Sequence, residues 1–301
     1  MRKQLCDALV ERSTSSEMVF LTGDLGFMAL EPLRECMGRR FINAGVSEQN
    51  MISVAAAMAR QGLEAWAYSI APFCYARPFE QIRNDITFHN LPVNLIGNGG
   101  GYGYGVMGPS HHAIEDYGVL LTLPDMRVFV PVFDEDVPEV VSRAGACGQA
   151  TYLRLGRGEA PAGYQPPAFE PWRQLVHGEG ALVIAVGPLA GSYVDAICAL
   201  PDESRPNLWA LAELPLGNHP LPAALLAQLA SAGRLVVAEE HVAQGGVASQ
   251  IALHLALRGV SSPPMVHLCA TAHHYGRYGS QLWLRRQSRL DPASLLAALD
   301  S

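Results

Sequence analysis

Short apolar segments alternate with helical segments along this chain, and that alternation limits its possible folds more than any other feature. The predicted strands are residues 18–21, 41–42, 64–68, 93–96, 128–130, 151–153, 181–186, 208–211, 234–238 and 264–268. Helices are predicted over residues 5–10, 48–58, 78–88, 113–121, 137–144 and 247–257. Strands separated by helices are typical of βαβ units in a mainly parallel sheet. We therefore expect an α/β fold with two doubly wound, mainly parallel-sheet domains.

The alternation stops once, in a proline-rich segment near the middle of the chain. Residues 157–178 contain Pro161, Pro166, Pro167 and Pro171. Closely spaced prolines favour an extended connection over a helix or a central strand. We predict a first domain over residues 1–156, a linker over 157–178 and a second domain over 179–301.

Composition excludes several classes of protein. Of the 301 residues, 49% are hydrophobic and 16% are charged, which is enough for a large core. The net charge of −7 argues against a nucleic-acid partner, and no basic run or long apolar stretch indicates a membrane partner. The six cysteines are scattered without a C-x-x-C spacing, as in reduced thiols, and the first residues lack the apolar run of a signal peptide. We therefore predict a cytoplasmic protein.

Residues 41–51 join a strand end, a glycine-containing turn and a helix that has almost no polar face. Such a helix is expected to be buried on most sides. Its first turn nevertheless contains an acid, Glu48. A carboxylate is stabilised at a helix N-terminus, so Glu48 fits an ordinary helix-start acid. The sharper alternative is a catalytic acid in a buried site, where burial tunes a carboxyl group for proton transfer.

A glycine-rich loop over residues 97–105 follows a predicted strand, and residues 103–108 match the pattern G-x-G-x-x-G. A dinucleotide site would require an acid at the end of the next strand, but residues 128–132 stay apolar. The loop is better explained as a place where the backbone approaches a ligand or a neighbouring subunit closely.

The sequence GPSHHAIED at residues 108–116 contains two candidate functional histidines. Ser110 is a plausible N-cap for the predicted helix 113–121. His111 and Glu115 would then share a helix face and could ligate a metal, but no third ligand has a suitable spacing. We predict no metal site within this chain, and surface or capping histidines remain an alternative for His111 and His112.

Two of these segments resemble the thiamine-diphosphate enzymes of the transketolase family. Residues 43–51 are similar to the segment that contains the family's cofactor glutamate, and residues 108–116 are similar to its Gly-Pro-Thr-His-Gln motif. The resemblance implies that Glu48 hydrogen-bonds the aminopyrimidine ring and promotes cofactor activation. It also implies that His111 lies in the substrate channel and moves substrate protons.

The resemblance covers nearly all of the chain and implies further contacts. Residues 69–82 are similar to the family's aromatic segment, and residues 236–246 are similar to its C-terminal domain, which is generally structural. The implied cofactor contacts are Asp24, Leu25, Phe73 and Phe79, with Phe73 the best match for the ring that stacks on the aminopyrimidine. The implied sugar-phosphate contacts are Arg2 and Arg154.

Two positions depart from the family pattern. Met107 stands where the family has an aspartate, and Gly99 stands where it has a substrate-channel histidine. A site that loses hydrogen-bonding partners discriminates against hydroxylated substrates. A less hydroxylated donor, such as a 2-oxoacid or an unusual sugar, therefore becomes plausible.

The family's Gly-Asp-Gly motif for Mg²⁺ and the cofactor diphosphate has no counterpart in this sequence. The resemblance therefore implies a separately encoded subunit that supplies the diphosphate domain, in an α2β2 assembly. On this hypothesis the chain is the pyrimidine-binding subunit of an enzyme that transfers a two-carbon ketol or acyl unit from a ketose-type donor to an aldehyde. The alternatives are the β subunit of a 2-oxoacid decarboxylase or dehydrogenase, and an inactive homologue that acts as a scaffold.

Overall fold

The structure is a computed structural model that describes residues 1–300, and within that range the backbone forms two sheets surrounded by helices. The strands are β1 (Met18–Thr22), β2 (Phe41–Asn43), β3 (Glu64–Ile70), β4 (Val93–Asn98), β5 (Arg127–Phe129), β6 (Thr151–Leu155), β7 (Trp172–Val176), β8 (Leu182–Val186), β9 (Asn207–Leu211), β10 (Glu213–Leu214), β11 (Leu235–Glu239) and β12 (Met265–Cys269).

The helices that cover these sheets follow the strands in sequence. They are α1 (Arg2–Ser13), α2 (Glu31–Met37), α3 (Glu48–Arg60), α4 (Ala71–Tyr75), α5 (Phe79–Gln81), α6 (Asp116–Leu120), α7 (Val137–Ala146), α8 (Pro188–Gly191), α9 (Val194–Cys198), α10 (Ala223–Ser231), α11 (Val247–Leu257), α12 (Gln281–Gln287) and α13 (Pro292–Asp300). A π-helical turn, Ile82–Thr87, extends α5 over most of the predicted helix 78–88.

The first sheet has seven strands in the order β10-β5-β6-β4-β3-β1-β2. Its neighbours pair in parallel, except β10, which is antiparallel to β5. The residues of β1, β4 and β6 are all buried, because helices cover both faces of the sheet. Full burial explains why these strands read as continuous apolar runs in the sequence.

The second sheet has five strands in the order β12-β11-β8-β9-β7. Strand β7 is antiparallel to β9, and the other neighbours are parallel. Two parallel sheets with helices between their strands confirm the predicted α/β fold with two mainly parallel-sheet domains.

The boundary between the two halves is less simple than the sequence suggests. The predicted linker 157–178 contains β7, which adds an edge strand to the second sheet. Strand β10 comes from the second half of the chain but pairs with β5 in the first sheet. Both apolar core clusters also take residues from both sheets. The domain limits 1–156 and 179–301 therefore stay a prediction.

The predicted helix 113–121 was wrong at its start. Residues 109–111 form a 3-10 turn, and α6 begins only at Asp116. Ala113 instead forms a β-bridge with Gly101, which ties this position to the glycine-rich loop. Ser110 is consequently not a helix cap, and His111 and Glu115 do not share a helix face.

Candidate functional site

The carboxyl ends of parallel strands β1, β2 and β4 bring the candidate residues to one edge of the first sheet. The chain leaves β1 at Thr22, β2 at Asn43 and β4 at Asn98. Open α/β sheets bind ligands at this edge, because strands and their connecting loops converge there. The edge is built by the segments that contain Asp24, Glu48 and the glycine-rich loop.

Glu48 is the first residue of α3, and only 3% of it is exposed. Arg77 Nη1 donates a hydrogen bond to its Oε1 at 2.8 Å. Beside it, Gly23 lacks a side chain, and a Cβ there would be 3.6 Å from Glu48 Oε1, from Gly45 O and from Ser69 Oγ. The Ser69 hydroxyl is buried without a hydrogen-bond partner. The Glu48 carboxylate, the Ser69 hydroxyl and the Gly45 carbonyl thus converge on Gly23.

Phe73 and Arg77 connect Glu48 to His111. The Arg77 guanidinium lies 3.7 Å from the centre of the Phe73 ring, a cation–π contact. The His111 ring also meets Phe73, edge-on, with ring centres 5.1 Å apart. The structure therefore brings the predicted residues Glu48, Phe73 and His111 together around Arg77, which sequence analysis did not single out.

The electrostatics of His111 follow from this setting. Burial lowers its pKa below the usual value, and the nearby Arg77 charge lowers that pKa further. Its Nδ1 is 3.0 Å from Ser110 Oγ. A lowered pKa keeps the imidazole neutral at pH 7, so it can both accept and donate a proton.

The other implied cofactor contacts lie around this group. Asp24 forms a reciprocal pair with Asn43: its backbone N donates to Asn43 Oδ1 at 3.1 Å, and Asn43 Nδ2 donates to Asp24 Oδ1 at 2.8 Å. Leu25 lines a small apolar cavity next to this pair. Phe79 packs against the hydrophobic core, and its implied cofactor contact stays a prediction.

A second cleft opens next to the glycine-rich loop, with a volume of about 220 Å³. Arg2, Asn98, Tyr104 and Arg157 are among its lining residues. Asn98 Nδ2 donates to the Tyr104 hydroxyl oxygen at 2.6 Å. The Tyr104 ring is also tilted against His111, with ring centres 6.2 Å apart. The cleft therefore joins two arginines to the His111 side of the site.

Tyr104 fills the space beside Gly99. The backbone of Gly99 has a φ of +75°, and a Cβ at this position would overlap the Cδ2 and Cε2 atoms of Tyr104. Any side chain at position 99 would collide with this ring. The aromatic ring thus takes the place of the polar group that the family resemblance would put at position 99.

Arg154 does not line this cleft. Its Nε donates to Asp116 Oδ2 at 2.7 Å, and its Nη2 donates to the carbonyls of Ala113 and Glu240 at 2.9 and 2.8 Å. The side chain is 5% exposed. The guanidinium of Arg154 is thus already bonded inside the protein, and Arg157 faces the cleft instead. The implied phosphate contact of Arg154 stays a prediction.

Arg77, Tyr104 and Arg157 are not among the residues predicted from the sequence. Arg77 follows Phe73 by four residues, a spacing that places two side chains of a helical segment near each other. Arg157 is the second residue after the end of β6, at the ligand-binding edge of the sheet. Tyr104 gave no local signal, because its role depends on the empty space beside Gly99.

Two negative findings apply to the residues that the structure describes. Residues 1–300 contain no group of three or more His, Cys, Asp or Glu side chains placed to hold a metal ion. In the same range, no helix combines the length and apolarity that a bilayer span would need.

Comparisons with known proteins identify relatives of both halves. The family described as "Transketolase, pyrimidine binding domain" matches residues 7–162, slightly more than half of the 301 residues. One subunit of the apulose-4-phosphate transketolase of Phocaeicola vulgatus is 28% identical over 192 residues, which are 62% of this chain and 62% of that protein. The 1-deoxy-D-xylulose-5-phosphate synthase of Desulfotalea psychrophila is 27% identical over 296 residues, 95% of this chain and 44% of the synthase.

A solved structure has the same architecture over almost the whole chain. A protein described as "Split gene transketolase, inactive beta4 tetramer" is 29% identical, with a TM-score of 0.85 over 99% of this chain and 96% of that one. By contrast, this chain spans less than two thirds of the length of the Phocaeicola vulgatus protein, and less than half of the synthase.

Proposed function

The chain belongs to the transketolase family, and from that premise we propose that it is the pyrimidine-binding subunit of a thiamine-diphosphate-dependent enzyme that transfers a two-carbon unit. The donor in this proposal is a ketose-type sugar, and the acceptor is an aldehyde. One observation carries the proposal: Glu48, which is 3% exposed, shares Arg77 with Phe73, whose ring contacts His111.

The residues around Glu48 fit the edge and face of an aminopyrimidine ring. The buried Ser69 hydroxyl has no hydrogen-bond partner, and it lies beside Gly23 together with the Glu48 carboxylate and the Gly45 carbonyl. A buried polar atom without a partner is unusual in a folded protein, so a polar ligand atom is a reasonable complement for it. The Phe73 ring offers a flat aromatic face near Glu48, because Arg77 contacts both residues.

Each side chain has a defined task in this proposal. Glu48 holds and moves one proton at its carboxylate, and Phe73 orients the bound ring by stacking. The cofactor, when bound, supplies a stabilised carbanion that the protein side chains cannot form. His111 is neutral because of its lowered pKa, so it takes and returns a proton at a substrate hydroxyl.

Arg2 and Arg157 are proposed to bind a substrate phosphate in the second cleft. Both line it, and guanidinium groups pair well with phosphate oxygens. Tyr104 bounds the same cleft between these arginines and His111. Its ring and the half-exposed Met107 replace polar groups, which favours a donor with fewer hydroxyl groups than a usual ketose phosphate.

A partner subunit is proposed to complete the site with Mg²⁺ and the diphosphate-binding residues, in an α2β2 assembly. The surface near the site supports a covering partner, because the apolar side chains Phe27, Met28, Val46 and Met107 are exposed there. Apolar residues grouped on a surface commonly mark a protein interface.

The test of the proposal is Glu48→Gln, assayed in the complex with the diphosphate-binding subunit. Loss of a tuned proton-transfer group lowers kcat by about 10²–10⁴-fold. We expect this loss while the variant still assembles and unfolds at a normal Tm. Glu35→Gln, at an exposed position of α2, is the matched control and should keep full turnover. Normal turnover of Glu48→Gln would refute the proposal.

A second candidate function, the β subunit of a 2-oxoacid decarboxylase or dehydrogenase, is favoured by Tyr104 and Met107, because both make the channel less polar. Activity assays with a panel of sugar-phosphate and 2-oxoacid donors distinguish the two functions. Release of CO₂ from a 2-oxoacid, without ketol transfer from a sugar phosphate, would identify the second. Inactivity with every donor would leave the scaffold hypothesis.

A further inference from the structure

The Arg77 guanidinium is held by the same two side chains that are proposed to hold the aminopyrimidine ring. Its Nη1 bonds Glu48 Oε1 at 2.8 Å, and its Cζ lies 3.7 Å from the centre of the Phe73 ring. A guanidinium is flat, donates hydrogen bonds from its edge and stacks on aromatic faces. Arg77 thus makes one edge contact and one face contact at the centre of the candidate site.

We propose that Arg77 is a placeholder for the cofactor ring: it closes the pyrimidine site in the free subunit and must leave Glu48 before the ring can bind. This inference rests on the proposed function, because it takes Glu48 and Phe73 as the cofactor contacts. Two flat groups cannot occupy the same ring face and the same carboxylate oxygen at once. Cofactor binding and the Glu48–Arg77 contact are therefore mutually exclusive.

The burial of the two partners explains why a placeholder is needed. Glu48 is 3% exposed on its side chain, whereas Arg77 is 43% exposed. A buried carboxylate without a partner destabilises a protein strongly, so the empty site needs a temporary cation. Arg77 can supply one and later withdraw, because a half-exposed arginine regains water when it leaves.

The location of Arg77 permits this movement. It lies in the short connection between α4 and α5, immediately before Pro78, and its side chain reaches back to Phe73 in α4. A rotation of side-chain torsions, without movement of either helix, would move the guanidinium into water. The closed form reduces the apparent affinity for the cofactor by the fraction of molecules that are open.

Cofactor affinity tests the placeholder directly. Thiamine diphosphate is titrated with saturating Mg²⁺ into complexes of this chain with its diphosphate-binding subunit. Arg77→Met keeps the length of the side chain and removes the guanidinium, so it should bind about tenfold more tightly than wild type, with a faster association rate. Arg77→Lys keeps the charge without the flat stacking group and should bind about two- to threefold more tightly. Arg60→Met, at the exposed far end of α3, is the control and should bind like wild type.

Each result either supports or overturns the proposal that Arg77 is a placeholder. Unchanged or weaker binding by Arg77→Met would overturn it, and weaker binding would mean that Arg77 itself contacts the cofactor. If Arg77→Met does not fold, unchanged or weaker binding by Arg77→Lys overturns it instead. Absence of binding by the wild-type complex would refute the proposed function, which is a separate failure.

A double-mutant cycle on the cofactor-free chain tests the closed contact itself. Arg77→Met should lower the Tm when Glu48 is present, because the buried carboxylate loses its partner. The decrease should shrink when Arg77→Met is made in the Glu48→Gln background. An equal decrease in both backgrounds would show that Arg77 stabilises the chain by other contacts and would overturn the placeholder.

Discussion

Two acid–arginine pairs lie at the ligand-binding edge of the first sheet and differ in their access to water. Arg77 bonds Glu48 at 2.8 Å, and Arg154 bonds Asp116 at 2.7 Å. The Arg77 side chain is 43% exposed, whereas that of Arg154 is 5% exposed. The two pairs therefore have similar bond lengths and buried acids, but only the arginine of the first pair reaches water.

The second half of the chain accounts for the difference. It seals the Asp116 pair, because Arg154 also donates to the Glu240 carbonyl, and the Glu240 carboxylate accepts from Tyr102 N and from Arg285. The Glu48 pair has no comparable cover within residues 1–300, and its arginine reaches solvent. We infer that the sealed pair fixes the two halves together, while the open pair is free to exchange its arginine for a ligand.

Removal of the arginine from each pair should give the largest difference between them in the free energy of unfolding. Arg154→Met leaves Asp116 buried and unpaired, which should lower the free energy of unfolding by about 3–5 kcal/mol. Arg77→Met also leaves a buried carboxylate, but water can enter the space that the half-exposed guanidinium leaves, so it should lower the free energy of unfolding by less, about 1–3 kcal/mol. Urea unfolding of both variants measures the difference. Equal losses would contradict the distinction between a sealed and an open pair.

A substitution at Gly99 tests the second cleft, which meets the candidate site at His111. Gly99→Ala should lower the free energy of unfolding by about 1–2 kcal/mol, because its φ is +75° and the new Cβ would meet the Tyr104 ring. The displaced ring should also raise the KM for a phosphorylated substrate. Gly62→Ala, with a φ of +90° and open space around it, gives the effect of backbone strain alone. If both variants keep the wild-type KM, Tyr104 does not shape the cleft.

His111 and His112 are neighbours in the sequence but belong to different surroundings. His112 packs against Tyr102, whose backbone N–H donates to Glu240 beside the buried Asp116–Arg154 pair. His112 is buried against Tyr102, its Nδ1 has no partner, and burial lowers its pKa. The unfolded chain therefore binds more protons just below the usual histidine pKa of about 6.5, so stability falls as pH decreases through that value.

This linkage predicts a smaller pH effect in His112→Gln. The decrease in the free energy of unfolding between pH 7 and pH 5.5 should be smaller than in wild type. His89→Gln, at an exposed position, should keep the wild-type decrease. An unchanged decrease in His112→Gln would place the titrating group elsewhere.

The smallest expected effect is on the pKa of His111, which lies near Arg77. Arg77→Met removes a positive charge next to its ring, so the pKa of His111 should rise towards its usual value, although burial still holds it lower. An NMR titration of the imidazole measures this shift. A pKa that stays the same would mean that Arg77 lies farther from His111 in solution.

The sequence was most informative where local patterns decide the structure. Alternating strands and helices predicted both sheets, and the segment around Glu48 predicted a buried acid at a helix start. The predictions were wrong where contacts between residues distant in sequence determine the secondary structure. The bridge between Gly101 and Ala113 prevents the expected helix start, and β7 forms within a proline-rich segment because β9 offers it an edge.

The candidate site shows the same limit. Phe73 and His111 follow from motifs, but the bond from Arg77 to Glu48 joins residues 29 positions apart. The replacement of Arg154 by Arg157 in the cleft depends on which side chain the second half of the chain covers. Neither relation is visible in a local pattern.

The most direct test of the account is a calorimetric titration of thiamine diphosphate and Mg²⁺ into this chain, alone and then with the diphosphate-binding subunit. The account predicts binding only in the mixture, because this chain supplies the pyrimidine half of the site and its partner supplies the rest. Tight binding by the chain alone would contradict the divided site. Absence of binding in the mixture would contradict the role of Glu48 as a cofactor contact.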